Sequence, residues 1–439
     1  MSDVKFRCII CDADDKWTNV DEHRIAPKGM CVCEGCGMIA YPSLWKSNEE
    51  IKNYYKKEYR PAPNAGNYFT GERKLHYHAA FLEPVISEWK KNGKKPVISE
   101  VGAAYGLFLH WLKMNVPGAE VYGTELTKTY KRNAWHEYKI KLDDDFDTSK
   151  KYDLVCSYKV LEHMQDADKE LLKYKDALTE DGLLYISLPT WLGQMNLFGK
   201  SGFEIEEYYS PHHLNSWTKK LFETLLKKCG LEVVRSNHCY YDDTYLCKRN
   251  DALMGQTLEV ENPKEIEEKM AKIKLASELM SEGKYQESLA VWPNFPDCWT
   301  HLYESKRAQL DKFGYEQIKK EFCDRALAAC PDTATIYSLC ADVAMRYNKW
   351  EEAIKLLETA LTLRPEAATA LVQLGHCYRN KAHKSQDLSQ KTNLYKNAKA
   401  CMKHLREVSA SSFKDSLDWE YQDNSNIPTP FELESGNGP

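Results

Sequence analysis

The segment that most limits what this chain can fold into is Val97-Ile-Ser-Glu-Val-Gly-Ala-Ala-Tyr-Gly-Leu-Phe-Leu109. An apolar run breaks at Gly102, and a second glycine, Gly106, opens an amphipathic stretch. A buried strand, a tight glycine turn and a helix form the opening unit of a doubly wound α/β sheet. Glycine at both positions allows the turn without Cβ clashes, so a nucleoside can lie close against the backbone. A second short apolar run, Glu120-Val-Tyr-Gly-Thr124, leads into Glu125. A carboxylate there can accept hydrogen bonds from both hydroxyls of a ribose. A glycine turn followed about 20 residues later by an acid is a nucleoside-binding layout. The turn reads E-x-G-x-x-x-G, not the dinucleotide G-x-G-x-x-G, and no Walker lysine follows it, which points away from NAD and ATP.

Downstream motifs widen the pattern. Tyr152-Asp-Leu-Val-Cys-Ser-Tyr-Lys-Val-Leu-Glu-His-Met164 resembles the fourth-strand motif of class I S-adenosylmethionine (SAM)-dependent methyltransferases. Leu178-Thr-Glu-Asp-Gly-Leu-Leu-Tyr-Ile-Ser-Leu-Pro189 resembles their post-helix turn and fifth strand. His212-His-Leu-Asn-Ser-Trp-Thr218 and Leu225-Leu-Lys-Lys-Cys-Gly-Leu-Glu-Val-Val234 resemble their last helix and antiparallel edge. The resemblance implies a Rossmann-like α/β sheet with SAM as cofactor. It also implies roles: Glu100 orients the turn and the methionine amine, while the backbone of Gly102, Ala104 and Gly106 packs the nucleoside. Glu125 holds the ribose, and Ser157 and Tyr158 face the donor. Asp144 or Asp145, beyond a third strand expected at Tyr138 to Leu142, accepts from the adenine amine, or else the aspartate run is a solvated turn.

The chain has 439 residues, enough for about three domains. Its net charge of −5 exerts no global pull towards nucleic acid. No stretch approaches 18 consecutive apolar residues and no signal-peptide core opens the chain, so a soluble, cytoplasmic protein with no membrane partner is expected. In that compartment the 15 cysteines read as thiols and metal ligands. Cys8-Ile-Ile-Cys11 and Cys33-Glu-Gly-Cys36 are two C-x-x-C knuckles, the ligand set of a structural tetrahedral zinc site. Such a closed site serves folding rather than catalysis.

After the second knuckle come Met38-Ile-Ala-Tyr-Pro42 and then Tyr54-Tyr55. With these landmarks the chain resembles zinc-ribbon methyltransferases, several of which act on nucleotide-linked sugars or other small metabolites. It departs from the sugar C-methyltransferases of that group: the His-Glu-His segment expected near Pro211-His212-His213 lacks its glutamate, and the chain ends in helices. The acceptor is therefore expected to be a small molecule or carbohydrate-like, methylated on oxygen or carbon.

From about Asn262 to Val408 the pattern is helical. Pro296, Pro331 and Pro365 stand 35 and 34 residues apart, and Tyr347 to Leu361 is echoed by Gly283 to Leu289. This resembles tetratricopeptide repeats, whose stacked helix pairs present a surface for a protein partner, self-association or substrate docking. The expected organisation is a zinc ribbon over 1–45, a methyltransferase domain over 46–250, helical repeats over 260–408 and a flexible tail over 409–439. Phe413, Trp419, Tyr421 and Phe431 are candidate docking anchors in that tail.

On the acceptor side, His163, His212 and His213 are the imidazoles able to take a proton near neutrality. Leu161-Glu-His163 resembles a motif of quinone-pathway O-methyltransferases in which an extra upstream glutamate helps bind a divalent ion. Lys159 stands at that place here, and metal-assisted catalysis is not expected. Trp191, Phe203, Tyr208 and Tyr209 are candidate walls of the acceptor pocket. Two other functions stay open: methylation of RNA or DNA, with the ribbon gripping the nucleic acid, and a non-catalytic repeat scaffold that retains the methyltransferase fold.

Overall fold

The computed structural model describes residues 6–14, 16–20, 29–41, 47–57, 68–191, 213–238 and 242–408. They divide into two compact units, Met1–Arg60 with Pro84–Trp292 and Pro61–Glu83 with Pro293–Pro439.

The first unit opens with short strands β1 (Trp17–Asn19), β2 (Cys31–Cys33) and β3 (Ile39–Ala40), followed by helix α1 (Asn48–Lys57). Helix α2 (Tyr68–Asn92) enters the unit at Pro84 and leads to β4 (Val97–Val101), α3 (Leu107–Asn115), β5 (Glu120–Thr124) and α4 (Lys128–Tyr138). Then come β6 (Tyr152–Tyr158), α5 (Ala167–Asp176), β7 (Leu178–Pro189), β8 (Asn215–Ser216), α6 (Lys219–Lys228), β9 (Leu231–His238) and β10 (Asp242–Arg249). Six of these strands make one sheet in the order β5-β4-β6-β7-β10-β9. The first three pairings are parallel and the last two antiparallel. This is the doubly wound α/β sheet expected, with an antiparallel edge. Chain order reverses between β4 and β6, so the crevice beyond their carboxyl ends is where such sheets take ligands.

The expected third strand at Tyr138 to Leu142 is reduced to an isolated parallel bridge, Thr124 to Asp143. Helix α4 runs as far as Tyr138, and Lys139 caps it at φ 55°, leaving too few residues for a strand. The sheet core is apolar: Val155, Leu184, Ile186 and Leu188 meet Leu221, Phe222, Leu225 and Tyr245. Burying each such side chain contributes about 1.5–3 kcal/mol. Helix α6 shows why it forms where it does. Thr218 caps it by accepting from the Leu221 amide at 3.2 Å, and Leu221, Phe222, Leu225 and Leu226 repeat along one face.

A second, four-stranded sheet runs β1-β2-β3-β8. Its last pairing joins the N-terminal segment to residues beyond β7, with Ile39 opposite Ser216 and Ala40 opposite Asn215. Two further helices, α7 (Pro263–Ser281) and α8 (Tyr285–Val291), belong to the same unit. Ile266, Met270 and Ile273 of α7 pack on Val20, Met30, Val32, Ile39 and Tyr41. The helical stretch that begins after Asn262 is thus divided, and the compact units part between Trp292 and Pro293.

The second unit contains α9 (Pro296–Lys306), the short α10 (Tyr315–Ile318), α11 (Asp324–Ala329), α12 (Ala334–Arg346), α13 (Trp350–Leu363), α14 (Ala368–Lys384) and α15 (Leu388–Val408). A π-helical turn at Lys319–Cys323 joins α10 to α11. Helices α12 to α15 share a core in which Ala341, Ala344, Ala353 and Ala360 permit close approach. A Cβ on Gly375 would lie 2.5 Å from Met402 Cε, so α14 and α15 pack tightly there. No described helix is long and apolar enough to cross a membrane.

Candidate functional site

The turn after β4 is held in a left-handed shape. Gly102, Ala104 and Gly106 have φ of 69°, 46° and 72°. The first and last are glycines, for which this costs little, but Ala104 is strained and needs support. Glu125 supplies it: Oε2 accepts from the Ala104 amide at 3.0 Å and Oε1 from the Thr127 amide at 2.7 Å. The Ala103 amide donates to the Thr124 carbonyl at 2.8 Å, tying the turn to β5. Glu125 is buried, and that burial pushes its carboxyl up, against the pull of the Thr127 and Ala104 amides.

Glu100, in β4 just before the turn, is buried. Burial pushes its carboxyl up to about 8, opposed by the Leu109 amide and reinforced by the nearby Glu125 charge. Its Oε2 has no hydrogen-bond partner among the described residues. A buried carboxyl oxygen without a partner is costly, and a cationic group of a bound molecule would relieve it. An added Cβ on Gly102 would come within 2.5 Å of Val160 Cγ2, so the turn touches the loop that follows β6.

The rim beyond β5 is more polar. Asp143 is bound into the bridge, its amide donating to the Gly123 carbonyl at 3.0 Å. Asp144 is paired with Lys131 and, at 2.7 Å, with Lys56 of α1. These two lysines, Lys131 foremost, hold its carboxyl down at about 2. Asp145 pairs with Lys52 at 3.0 Å. At the end of β6, Ser157 is buried with its Oγ unpartnered among the described residues, and Tyr158 is half-buried. Lys159 adopts φ 54°, and its ammonium is paired with Asp242 of β10.

The segment just past β6 gathers the acceptor-side candidates. Glu162 and His163 sit in the short turn Leu161–His163, and Glu162 is wholly buried. The His163 ring lies 4.6 Å from that of His213, centroid to centroid. His163 Nδ1 is 3.1 Å from the Tyr55 hydroxyl of α1. Two bonds clamp the two histidine segments together: the Leu214 amide donates to the Glu162 carbonyl at 2.7 Å, and Asn215 Nδ2 donates to the Met164 carbonyl at 2.7 Å. Among the expected acceptor residues, His212, Phe203, Tyr208 and Tyr209 lie outside the described residues. Trp191 is buried in the core shared by the small sheet and α7.

Cys8, Cys11, Cys33 and Cys36 converge as the spacing implied, all four sulfurs within 4.8 Å of one another. Cys8 and Cys36 are 3.5 Å apart, Cys11 and Cys33 3.6 Å. Ligands about 2.3 Å from a tetrahedral zinc are roughly 3.8 Å apart, so the set fits that ion. A Cβ on Gly35 would fall 3.0 Å from Cys11 Sγ, which keeps the second knuckle open to the first. The crowded sulfurs push the Cys36 thiol up, through its hydrogen bond to Cys11 first, and a cation at the centre would reverse that. Strand β3, four residues past Cys36 at its end, pairs with β8, and the Tyr41 amide donates to the Leu214 carbonyl at 2.9 Å. The cysteine cluster thereby fixes the backbone beside His213.

Three participants escaped sequence reasoning. Tyr55 was visible only as part of a family landmark, Glu162 only as the middle of a motif, and the pairing of Asn215–Ser216 with the ribbon left no local signal.

Residues 74–236 match the family model described as a methyltransferase domain, well under half of the chain. No curated protein matches the chain. Among solved structures, it is similar to a magnesium protoporphyrin IX methyltransferase from Synechocystis with bound S-adenosylhomocysteine (SAH), with 16% identity and a TM-score of 0.35, covering 46% of this chain and 100% of that one. A SAM-dependent methyltransferase from Clostridium acetobutylicum is similar at 14% identity and a TM-score of 0.33, covering 46% and 98%. The plantazolicin methyltransferase BpumL in complex with SAH gives 15% identity and a TM-score of 0.36, covering 46% and 94%.

Proposed function

We propose, with a methyltransferase domain at residues 74–236 as the premise, that this chain moves the methyl group of SAM onto oxygen or carbon of a small-molecule or carbohydrate-like acceptor. The observation that carries this reading is the left-handed turn from Gly102 to Gly106, strained at Ala104 and held by Glu125. A chain with no nucleoside to seat has no use for that strain.

The donor's ribose hydroxyls donate to the lone pairs of Glu125 that its two backbone amides leave open. Its methionine ammonium meets Glu100, whose buried Oε2 lacks a partner among the described residues. Gly102, Ala104 and Gly106 line the nucleoside, and Ser157 and Tyr158 border the sulfonium. Methyl transfer is an in-line displacement, so the protein's task is to align donor and acceptor and exclude water. His163 and His213, with His212 as the third candidate, face the acceptor and receive its proton. The Tyr55 hydroxyl orients the His163 ring.

Cys8, Cys11, Cys33 and Cys36 hold a structural zinc in a ribbon over 1–45, and the catalytic domain spans 46–250. The helical segment over 260–408 serves repeat-type docking or self-association, ahead of a tail over 409–439. The protein works in the cytoplasm.

Calorimetric titration with SAM and SAH, beside the Glu125→Ala variant, tests the reading. Micromolar binding weakened tenfold or more by the substitution, about 1.4 kcal/mol, is expected. Absence of binding by the unaltered protein refutes it.

A further inference from the structure

Glu162 Oε1 lies 3.9 Å from His163 Nε2 and 4.0 Å from His213 Nε2. The three ligand-type atoms all fall within 4.8 Å of one another. These separations are too long for direct hydrogen bonds. They are slightly longer than the roughly 3.3–3.6 Å between tetrahedral ligands about 2.0–2.2 Å from a zinc-sized ion. We propose that Glu162, His163 and His213 form a second metal site, binding a divalent ion such as zinc or manganese with coordination positions open to the acceptor. The proposal rests on the preceding reading only for what fills those open positions.

Four features of the chain support it. Two imidazoles and one carboxylate are the donor set of open catalytic zinc sites and of facial-triad metal sites, distinct in kind from the closed four-thiolate cluster. The Tyr55 hydroxyl lies 3.1 Å from His163 Nδ1, and a partner on the distal nitrogen is what orients a ligating imidazole. The two ligand segments are cross-tied by the Leu214-to-Glu162 and Asn215-to-Met164 hydrogen bonds, so the donors are held in place before an ion arrives. Finally, Lys159, read from sequence as repelling a cation here, has its ammonium engaged by Asp242.

Three protein ligands leave one to three positions on such an ion. An acceptor with two neighbouring oxygens, such as a vicinal diol or a hydroxy acid, would chelate it. The bound hydroxyl then loses its proton to water more readily. Its lone pair forms the new O–C bond, the C–S bond of the donor breaks, and the electron pair stays on sulfur as the neutral thioether of SAH. With the ion bound, His163 and His213 serve as ligands, and the proton-accepting role given to them above passes to water.

The test is metal stoichiometry of the full chain, stripped under reducing conditions and reloaded with zinc, then with cobalt for spectroscopy. Two equivalents per chain are expected in the unaltered protein. His163→Ala and His213→Ala should each retain one, with the thiolate-to-cobalt absorption intact, and Glu162→Gln should weaken the second equivalent at least tenfold. Circular dichroism and SAM titration of each variant separate loss of the ion from loss of the fold. His163→Cys, which keeps a ligand of another kind, should restore the second equivalent with an added thiolate band. A single equivalent in the unaltered protein, or two in all the histidine variants, overturns the proposal. Methyl transfer by protein holding only the thiolate-bound ion would overturn the metal role and leave the methyltransferase reading standing. A second ion bound by protein that fails to bind SAM would do the reverse.

Discussion

Gly102→Ala probes the donor turn and the loop beyond β6 at once. The new Cβ would sit 2.5 Å from Val160 Cγ2, where ordinary contact begins at 3.4 Å, and the residue would carry φ 69°. The left-handed backbone costs an alanine about 1–2 kcal/mol, and overpacking of this kind costs about 1–3 kcal/mol. The altered turn relieves both by leaving its native shape, which SAM must then re-impose. The combined cost of about 2–5 kcal/mol therefore appears as a 30-fold to several-thousand-fold loss of donor affinity, at about 1.4 kcal/mol per tenfold. Val160→Ala removes Cγ2 but keeps Cβ, which lies 3.7 Å from the built atom, an ordinary contact. In the double variant the overlap disappears while the backbone cost remains. The expected result of a calorimetric double-mutant cycle is a recovery of about 1–3 kcal/mol relative to Gly102→Ala. Val160→Ala alone should change affinity less than threefold. An additive cycle, or wild-type binding by Gly102→Ala, would refute the claim that turn and loop are packed as described.

Three other outcomes follow from the same geometry. Glu100, pushed up to about 8 by burial, is protonated in the free protein below that pH and must ionise to meet the donor's ammonium. SAM affinity should rise between pH 6 and 8 by at most about tenfold per unit and then flatten, and Glu100→Gln should remove the slope; a flat wild-type profile contradicts the pairing. The sign for folding is opposite, because an acid whose folded pKa is raised favours folding fully below its unfolded value and loses that contribution as pH climbs towards 8. Cys33→Ser should lower bound zinc and impair turnover with acceptor while leaving SAM affinity within about threefold, since β3 braces the segment beside His213 and not the glycine turn; equal damage to both sides refutes this. Asp144→Ala should alter SAM affinity less than about threefold, because Lys131 and Lys56 already occupy a half-exposed carboxylate and such surface pairs are worth little; a tenfold loss would return it to the adenine-binding role.

What could be read from the sequence is what local stereochemistry dictates. Two of the turn's three positive-φ positions carry glycine, so Gly102 and Gly106 announced it, and Glu125 stood where a second strand must end. C-x-x-C knuckles are equally local, and the four sulfurs meet. The third strand failed for a local reason of another kind: the amphipathic signal of α4 continues to Tyr138 and a left-handed Lys139 consumes the next residue. The pairing of Lys159 with Asp242 left no local signal, because Asp242 lies on an antiparallel strand 83 residues away.

His163 and His213 could be named from the sequence as acceptor-side candidates, but their meeting with Tyr55 and Glu162 could not, for a topological reason. Tyr55, the Glu162–His163 turn and His213 come from three distant segments; the β3–β8 pairing and the Leu214-to-Glu162 hydrogen bond hold the last two side by side. That pairing makes the cysteine cluster more than a clip on the N-terminus. The sulfurs fix the second knuckle, the knuckle feeds β3, and β3 sets the backbone that carries His213 towards Glu162. The four-cysteine cluster therefore lies on the backbone path that sets His213 against the Glu162–His163 turn. Shortening the link between Cys36 and β3 by one residue would reverse which face of β3 meets its neighbours. It should abolish acceptor turnover while zinc remains bound, and retained turnover in that deletion would show that His213 is positioned by some other part of the fold.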